Sequence, residues 1–396
     1  MALTYDDFVR LLDAERLPAV LVDLDAVDAN ADLLAGRLVR PDVTVRVASK
    51  SIRLPYVLRH LLGRPRFAGL MTYSTAEMEL LAEQGFDDLL AGYPVGRPVD
   101  ADALARLARG GLRAVAMVDS AEHIELLASA ADGAPIPVAI DLDASLRIGP
   151  AHLGVRRSPL RDPAAAVAVA QAALDADGVE LVGLMAYEAQ VAGLPDNVPG
   201  QGLMNAARRV IRGRSIPLAA ERRAAVREAV EAIAGPLRLV NGGGTGSVDT
   251  TSADPSVTEI TAGSGFFAPT LFDHYRGLEL QPAAFFALPV VRRSDPDHVT
   301  CASGGFLASG PGAADRMPVV HLPPGLTPLA MEGWGEVQTP LRVGPAAPPL
   351  PLGAPVIARH AKAGELMERA AEVLVVRGGE IVDRAPTYRG LGGAFG

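Results

Sequence analysis

The chain has 396 residues, 49% of them hydrophobic and 21% charged, with a formal net charge of −9. That apolar content excludes a disordered protein, and the acidic balance excludes nucleic-acid or anionic-lipid binding through net charge. A single cysteine, Cys301, excludes a disulfide framework or a multi-cysteine zinc site. No apolar run approaches the ~18 residues of a membrane span. The acidic start, residues 1–7, lacks the basic and apolar regions of a signal peptide, so a cytoplasmic globule with no membrane partner is expected. Of the 37 lysines and arginines, only Lys50 and Lys362 are lysine. Arginine serves a solvated surface or an ion pair as well as lysine does, but it does not become a neutral nucleophile. Each surviving lysine is therefore a candidate for amine chemistry.

Between about residue 40 and about residue 262, apolar runs of strand length alternate with helical patterns. Strands are predicted at 43–49, 67–73, 88–92, 114–118, 137–142, 181–187, 237–241 and 259–262. Helices are predicted at 75–84, 101–109, 121–131, 164–176 and 219–234, with Ser74 and Glu77 spaced as a capping box ahead of the first. Eight strands, each but the last followed by a helix, predict an α/β fold: a closed (β/α)8 TIM barrel rather than an open sheet. The apolar run at 19–25 has no place in that count. Beyond about residue 278 helical periodicity fades. Proline and glycine punctuate β-rich runs at 283–291, 299–302, 319–321, 355–359 and 373–377, and Gly378-Gly379 is spaced as a hairpin turn. The organisation expected is a lead-in strand within 1–25, a barrel over 26–278 and a C-terminal β domain over 279–396. The connection 188–218, with Gly193, Pro195, Pro199 and Gly200, reads as a long loop overhanging the barrel mouth.

Lys50 directly follows the first predicted strand, and catalytic residues of such barrels come from the C-terminal strand ends. There its amine is available for Schiff-base chemistry. Gly242-Gly243-Gly244-Thr245-Gly246-Ser247 follows the seventh strand and Gly263-Ser264-Gly265 the eighth. Loops in these two places bind phosphate in this fold, through amides that no side chain shields and through hydroxyls such as those of Thr245 and Ser247. A lysine and a phosphate cradle on one mouth point to pyridoxal phosphate, an aldehyde that carries a phosphate. Arg147, just past the fifth strand, is placed either to hold the cofactor's phenolate oxygen or to pair with Asp143. Tyr187, ending the sixth, either packs beside the ring or bonds to it. Asp141 and Asp143 alternate about Leu142, so at most one is expected to face inward. Cys301 reads as a core residue, while Glu332, Trp334 and Glu336 either face the mouth or form a β-domain turn.

Several segments, in this order and spacing, carry a resemblance. They are Pro18-Ala19-Val20-Leu21-Val22-Asp23-Leu24-Asp25, Ala48-Ser49-Lys50-Ser51, Asp141-Leu142-Asp143 with Arg147, Gly183-Leu184-Met185-Ala186-Tyr187, the glycine cluster 242–246, and Arg359-His360-Ala361-Lys362. Together they resemble the fold-type III pyridoxal-phosphate enzymes, and within them the D-threonine aldolase and D-serine dehydratase branch. The resemblance implies an alanine-racemase-like N-terminal barrel, a leading strand that belongs to the β domain, and a homodimer in which that domain closes the neighbour's barrel. It implies pyridoxal 5'-phosphate held as an internal aldimine on Lys50, with Arg147, Tyr187, Gly243, Gly244, Thr245, Gly246, Gly263, Ser264 and Gly265 around it. It also implies a small D-configured or β-hydroxylated amino acid as substrate, cleaved between Cα and Cβ or dehydrated, with Lys50, Tyr187 and His360 in the catalytic set.

The departures from the family pattern bear on chemistry. The branch writes His-x-Lys-Thr-His-Lys around its lysine, where this chain has Ala48-Ser49-Lys50-Ser51-Ile52-Arg53. The branch also holds a divalent metal through His-x-Asp or His-x-Cys, where this chain has His360 and Lys362. An ammonium repels a cation and offers no lone pair, so no metal is expected. Lys362 is expected instead to supply positive charge or a proton to the substrate's β-hydroxyl or carboxylate. Two alternatives remain: a racemase or epimerase with Tyr388 as second base, and a non-catalytic pyridoxal-phosphate carrier, against which the second domain and the long connection argue.

Overall fold

The computed structural model describes residues 2–310 and 314–395. The chain divides into two compact units, one of Leu34–Lys50, Val57–Gly263 and Phe395–Gly396, the other of Met1–Leu33, Ser51–Tyr56 and Ser264–Ala394.

In the first unit eight parallel strands close into a barrel: Thr44–Ala48, Phe67–Thr72, Leu89–Pro94, Ala114–Val118, Ile136–Asp141, Val179–Ala186, Leu239–Gly242 and Glu259–Ala262, the last pairing with the first. All eight predicted strands are present, within two residues of their expected ends. Parallel strands covered by helices are buried on both faces and so read as unbroken apolar runs. Ala114–Val118 is buried at every position. Ser74 caps the helix Thr75–Glu83, its hydroxyl accepting from Glu77 N at 3.1 Å, while the Glu77 carboxylate reaches back to Tyr73 N at 2.7 Å.

The barrel interior is partly polar. Arg46 of the first strand donates to both oxygens of Glu259 on the eighth, at 2.6 and 2.9 Å, and pairs with Asp88 at 2.9 Å. Asn241 of the seventh strand donates to Glu259 at 2.7 Å and to Thr261 at 2.8 Å. Gly69 admits this arginine: a Cβ there would lie 2.2 Å from Arg46 Nη1.

The connection after the sixth strand corrects the expectation of a long loop. A short helix, Ala189–Ala192, is followed after nine residues by a helix spanning Gly202–Ala234. Pro217 lies inside it, where a missing N–H and a ring against the carbonyl four residues back normally break a helix. Here both Pro217 and Gly213, which owns that carbonyl, are exposed, so water satisfies the freed group. Asn205, Ser215, Ala219, Arg223, Val226 and Val230 form the buried stripe that anchors the helix on both sides of the proline.

In the second unit the strand Ala19–Asp23 lies between two C-terminal strands, antiparallel to Ala284–Asp295 and parallel to Glu372–Arg377. Further strands extend this into a nine-stranded sheet. A helix that the sequence reading did not place, Tyr5–Leu12, is closed by a capping box between Thr4 and Asp7. It packs Phe8 and Leu12 on Leu21, Phe285, Ile357 and Leu374. Gly378 and Gly379 take positive φ, 59° and 76°, and turn Glu372–Arg377 into Glu380–Pro386 as a two-residue hairpin. No helix among the described residues is long and apolar enough to cross a membrane.

Candidate active site

Lys50 sits in a single 3-10 turn, Ser49–Ser51, at the C-terminal end of the first barrel strand. Ser49 Oγ donates to Met71 O at 2.8 Å and pins the turn to the second strand. Lys50 Nζ donates to Tyr93 Oη at 2.9 Å and lies 5.3 Å from that ring's centroid. Tyr93 ends the third strand and was not singled out in the sequence, although the strand-end rule that selects Tyr187 selects it equally. Arg157 covers the other side: its guanidinium carbon is 4.9 Å from the Tyr93 ring and 5.2 Å from the Tyr187 ring, with Nη2 3.4 Å from Tyr93 Oη. Tyr187, Tyr93, Lys50 and Arg157 thus form one cluster. Burial raises the Tyr187 phenol above its ordinary range, with Arg157 opposing.

Arg147 sits on a small hairpin, Leu146–Ile148 with Ala151–Leu153, and pairs with Asp143 at 3.0 Å, its side chain half-exposed. Asp143 also takes Arg161 Nη1 and the Ser145 amide. Against the cost of burial, the Ser145 and Arg161 bonds hold its carboxyl below the usual range. Asp141 and Asp143 are both buried, because Asp143 lies beyond the strand end, where alternation no longer applies. Burial pushes the Asp141 carboxyl up to about 7 against the pull of Arg157, and Asp119 and Asp143 add to the rise.

The glycine turn is held from behind. Gly243 N donates to Glu188 Oε2 at 3.1 Å and Gly244 N to Ser247 Oγ at 3.1 Å, so neither N–H is turned toward a ligand. Gly244 has no room for a side chain, since a Cβ would lie 2.8 Å from Ala192 and 3.4 Å from the Tyr187 ring. Thr245 and Gly246 follow in the first turn of a 3-10 segment, Thr245–Ser247, that runs into the helix Val248–Ser252. The helix Gly202–Ala234 grips this turn twice. Arg212 Nη2 donates to Gly246 O at 2.8 Å. Arg223, only 2% exposed at the side chain, bonds Glu188 at 3.1 Å, Ala186 O at 3.2 Å and Asp254. Thr251 Oγ1 donates to the remaining oxygen of Glu188. Glu188 and Arg223 are therefore parts of the site that sequence reading missed. Gly263 ends the barrel unit, and Ser264 and Gly265 open the other, where Ser264 Oγ meets Ser51 Oγ at 3.2 Å.

In the second unit, His360 follows the strand Pro355–Arg359 and is 3% exposed, with neither ring nitrogen hydrogen-bonded. Burial, then Arg359, pushes its imidazole down to about 3, so it is neutral at pH 7. Lys362 Nζ is 3.5 Å from Ser309 O, and Lys362, His360, Phe306, Glu365 and Arg369 line one cavity. Tyr388 is fully buried in its own unit, its amide donating to Arg53 O at 3.1 Å, and so presents no phenol to a second copy. Cys301 is fully buried and its thiol is pushed up to about 12. Trp334 is buried against Phe286, while Glu332 and Glu336 are exposed.

The donor chemistry separates the two groups that the resemblance implies. A strand-end amine, a glycine turn without space for a Cβ, and amides and hydroxyls beyond it fit an aldehyde phosphate. At the metal position His360 offers a lone pair, but Lys362 offers only N–H donors. Among the described residues no group of three or more His, Cys, Asp or Glu is placed to hold an ion. These residues do not fit a divalent metal.

A (β/α)8 barrel with a strand-end lysine, a glycine turn after the seventh strand and a following sheet unit defines the alanine-racemase class of architecture. The chain matches the model of the alanine racemase N-terminal domain over residues 22–241, more than half its length, and belongs to that family. It is 27% identical over 343 residues to the D-threonine aldolase of Arthrobacter sp., covering 85% of this chain and 83% of that one. It is 26% identical over 257 residues to the 3-hydroxy-D-aspartate aldolase of Paracoccus denitrificans, covering 63% and 60%. The fold is shared with the D-threonine aldolase of Filomicrobium marinum (TM-score 0.74, 24% identity, 94% of each chain). It is shared also with the D-threo-3-hydroxyaspartate dehydratase of Delftia sp. (TM-score 0.72, 19% identity, 95% and 98%).

Proposed function

We propose that the protein is a pyridoxal-phosphate-dependent lyase that cleaves or dehydrates D-configured β-hydroxy amino acids. The observation that carries this reading is Lys50 at the end of the first barrel strand, inside the Tyr93–Arg157–Tyr187 cluster, with the glycine turn on the same mouth. The family membership and the aldolases and dehydratase it resembles support it. When bound, pyridoxal phosphate supplies an electron sink for a carbanion at the α-carbon.

The chain's own residues divide the remaining work. Lys50 would hold the aldehyde carbon through its amine and, when free, would be a base on one face. Thr245 and Gly246 would hold the phosphate, and Gly263, Ser264 and Gly265 remain candidates for the same group. Gly243 and Gly244 contribute space rather than donors. Tyr187 would pack beside the cofactor's ring, and Arg147, paired with Asp143, and Arg157, beside Tyr93, are the two candidates for the cation facing its phenolate oxygen. His360 and Lys362 belong to the proposed catalytic set, in which Lys362 would supply positive charge to the substrate's β-hydroxyl or carboxylate, and no step is assigned to a metal ion. A homodimer and a cytoplasmic location belong to the same reading.

The test is product analysis of the pyridoxal-phosphate-loaded protein with D-threonine, D-serine, D-threo-3-hydroxyaspartate and their L-enantiomers. Glycine plus an aldehyde identifies cleavage, and ammonia plus an oxo acid identifies dehydration, each from D-substrates alone. Racemised amino acid without either product set would replace this reading with the racemase.

A further inference from the structure

The phenol of Tyr93 has a geometry that binding alone does not explain. Its oxygen is 2.9 Å from Lys50 Nζ and 3.4 Å from Arg157 Nη2, so two cationic donors address one oxygen. A phenolate oxygen has lone pairs for both of these donors. Negative charge developing on Oη is met by both cations at short range. The same two cations also lie near the Tyr93 ring, Lys50 Nζ at 5.3 Å from its centroid and the Arg157 guanidinium carbon at 4.9 Å. Other titratable groups around Arg157 are Tyr187, whose ring centroid is 5.2 Å from the guanidinium carbon, and Asp141, which Arg157 also attracts.

We propose that Tyr93 is the proton partner of Lys50: its phenolate oxygen takes the ammonium proton, and its phenol returns that proton when the amine is released. The step balances as one proton moved from Nζ to Oη. It leaves Nζ with the lone pair that attack on an aldehyde carbon requires and converts the phenolate to a neutral phenol. Arg157 assists by holding the oxygen while it is charged. The inference rests on the reading of Lys50 as the residue that binds the cofactor's aldehyde, but it concerns a different residue and a different readout.

The experiment uses the full chain stripped of cofactor, as wild type, Tyr93→Phe and Arg157→Gln. Tyr93→Phe keeps the ring near both cations and removes only the oxygen. The first readout is the rate at which the visible band of lysine-bound pyridoxal appears at pH 7 after pyridoxal phosphate is added. Positioned proton transfer contributes roughly a hundredfold or more. Tyr93→Phe is therefore expected to slow the band about a hundredfold, and its rate is expected to rise with the concentration of a small buffer base, which wild type ignores. Arg157→Gln slows it in the same direction. The second readout needs no cofactor binding. The chain has only two lysines, so an amine-acylating reagent followed by peptide mass spectrometry reads Lys50 against Lys362 as an internal standard. The Lys50 to Lys362 ratio is expected to fall in Tyr93→Phe. An unchanged ratio, or a band forming within about twofold of wild type without buffer dependence, overturns the proposal. If wild type gives no band while the ratio still falls, the cofactor reading fails and the lysine–tyrosine pair stands.

Discussion

Replacing Arg223 with methionine tests whether the glycine turn is set from behind by the long helix. The side chain is 2% exposed and bonds two carboxylates that are themselves almost fully buried, Glu188 at 4% and Asp254 at 3%. Removing one partner of a buried ionic network leaves uncompensated charge and costs about 3–5 kcal/mol. Two features place this case at the lower end. Glu188 keeps Gly243 N and Thr251 Oγ1, and Asp254 keeps Ser256 N at 2.8 Å and Ser256 Oγ at 2.6 Å. Arg223→Met should therefore lower stability by about 3 kcal/mol in urea denaturation of the cofactor-free protein. It should also weaken pyridoxal-phosphate affinity, measured by absorbance titration, because Glu188 no longer fixes the turn at Gly243. The triple variant Arg223→Met, Glu188→Gln, Asp254→Asn removes the stranded charges and should recover much of the lost stability without restoring cofactor affinity. A loss below about 1 kcal/mol in the single variant, or a triple variant less stable than the single one, would refute the reasoning.

Asp141→Asn should stabilise the cofactor-free protein above pH 7, by an amount that shrinks as pH falls toward 4. The sign follows from the raised carboxyl: between about 4 and about 7 the folded state holds a proton that the unfolded chain has lost, so wild-type stability falls as pH rises. A difference between variant and wild type that is flat in thermal melts from pH 5 to pH 8 would contradict this. Activity should survive prolonged treatment with EDTA and gain nothing from added Mn²⁺, while Lys362→Ala should lose it; inactivation by EDTA reversed by Mn²⁺ would restore the metal to this site. Cys301 should resist thiol reagents in the native protein and react on unfolding, since it is buried and its thiolate is disfavoured. Rapid labelling of the native protein would show that this part of the sheet opens.

The barrel was readable because its strands are buried on both faces and so appear as plain apolar runs, and Lys50 because lysine is so scarce that its position carries information. The C-terminal half of the helix Gly202–Ala234 was read as 219–234, and the part before it was hidden by Gly213 and Pro217, whose breaking tendency matters only where the freed carbonyl lacks water. The helix Tyr5–Leu12 buries just Phe8 and Leu12, too few positions for a convincing period. The strand Glu380–Pro386 is largely exposed, and Leu326–Pro328 and Gln338–Val343 are short or mix polar, proline and apolar positions, so no apolar run announces them. Arg157 could not have been found. Its place beside Tyr93, 64 positions away in the chain, depends on where the segment beyond the 146–153 hairpin comes to lie. Arg147, nearer the fifth strand in sequence, makes the other pairing the sequence allowed, with Asp143. Glu188 and Arg223 were not singled out, because a buried ion pair leaves no mark in a sequence beyond its two residue types.

The central claim is that Lys50 carries the cofactor, and the visible spectrum of the purified protein with added pyridoxal phosphate tests it most directly. Wild type should show the band of lysine-bound pyridoxal, and borohydride should fix the cofactor to the peptide containing Lys50. Lys50→Ala should show neither, while Lys362→Ala keeps both. A reducible, covalently bound cofactor in Lys50→Ala, or no band in wild type, would contradict the account.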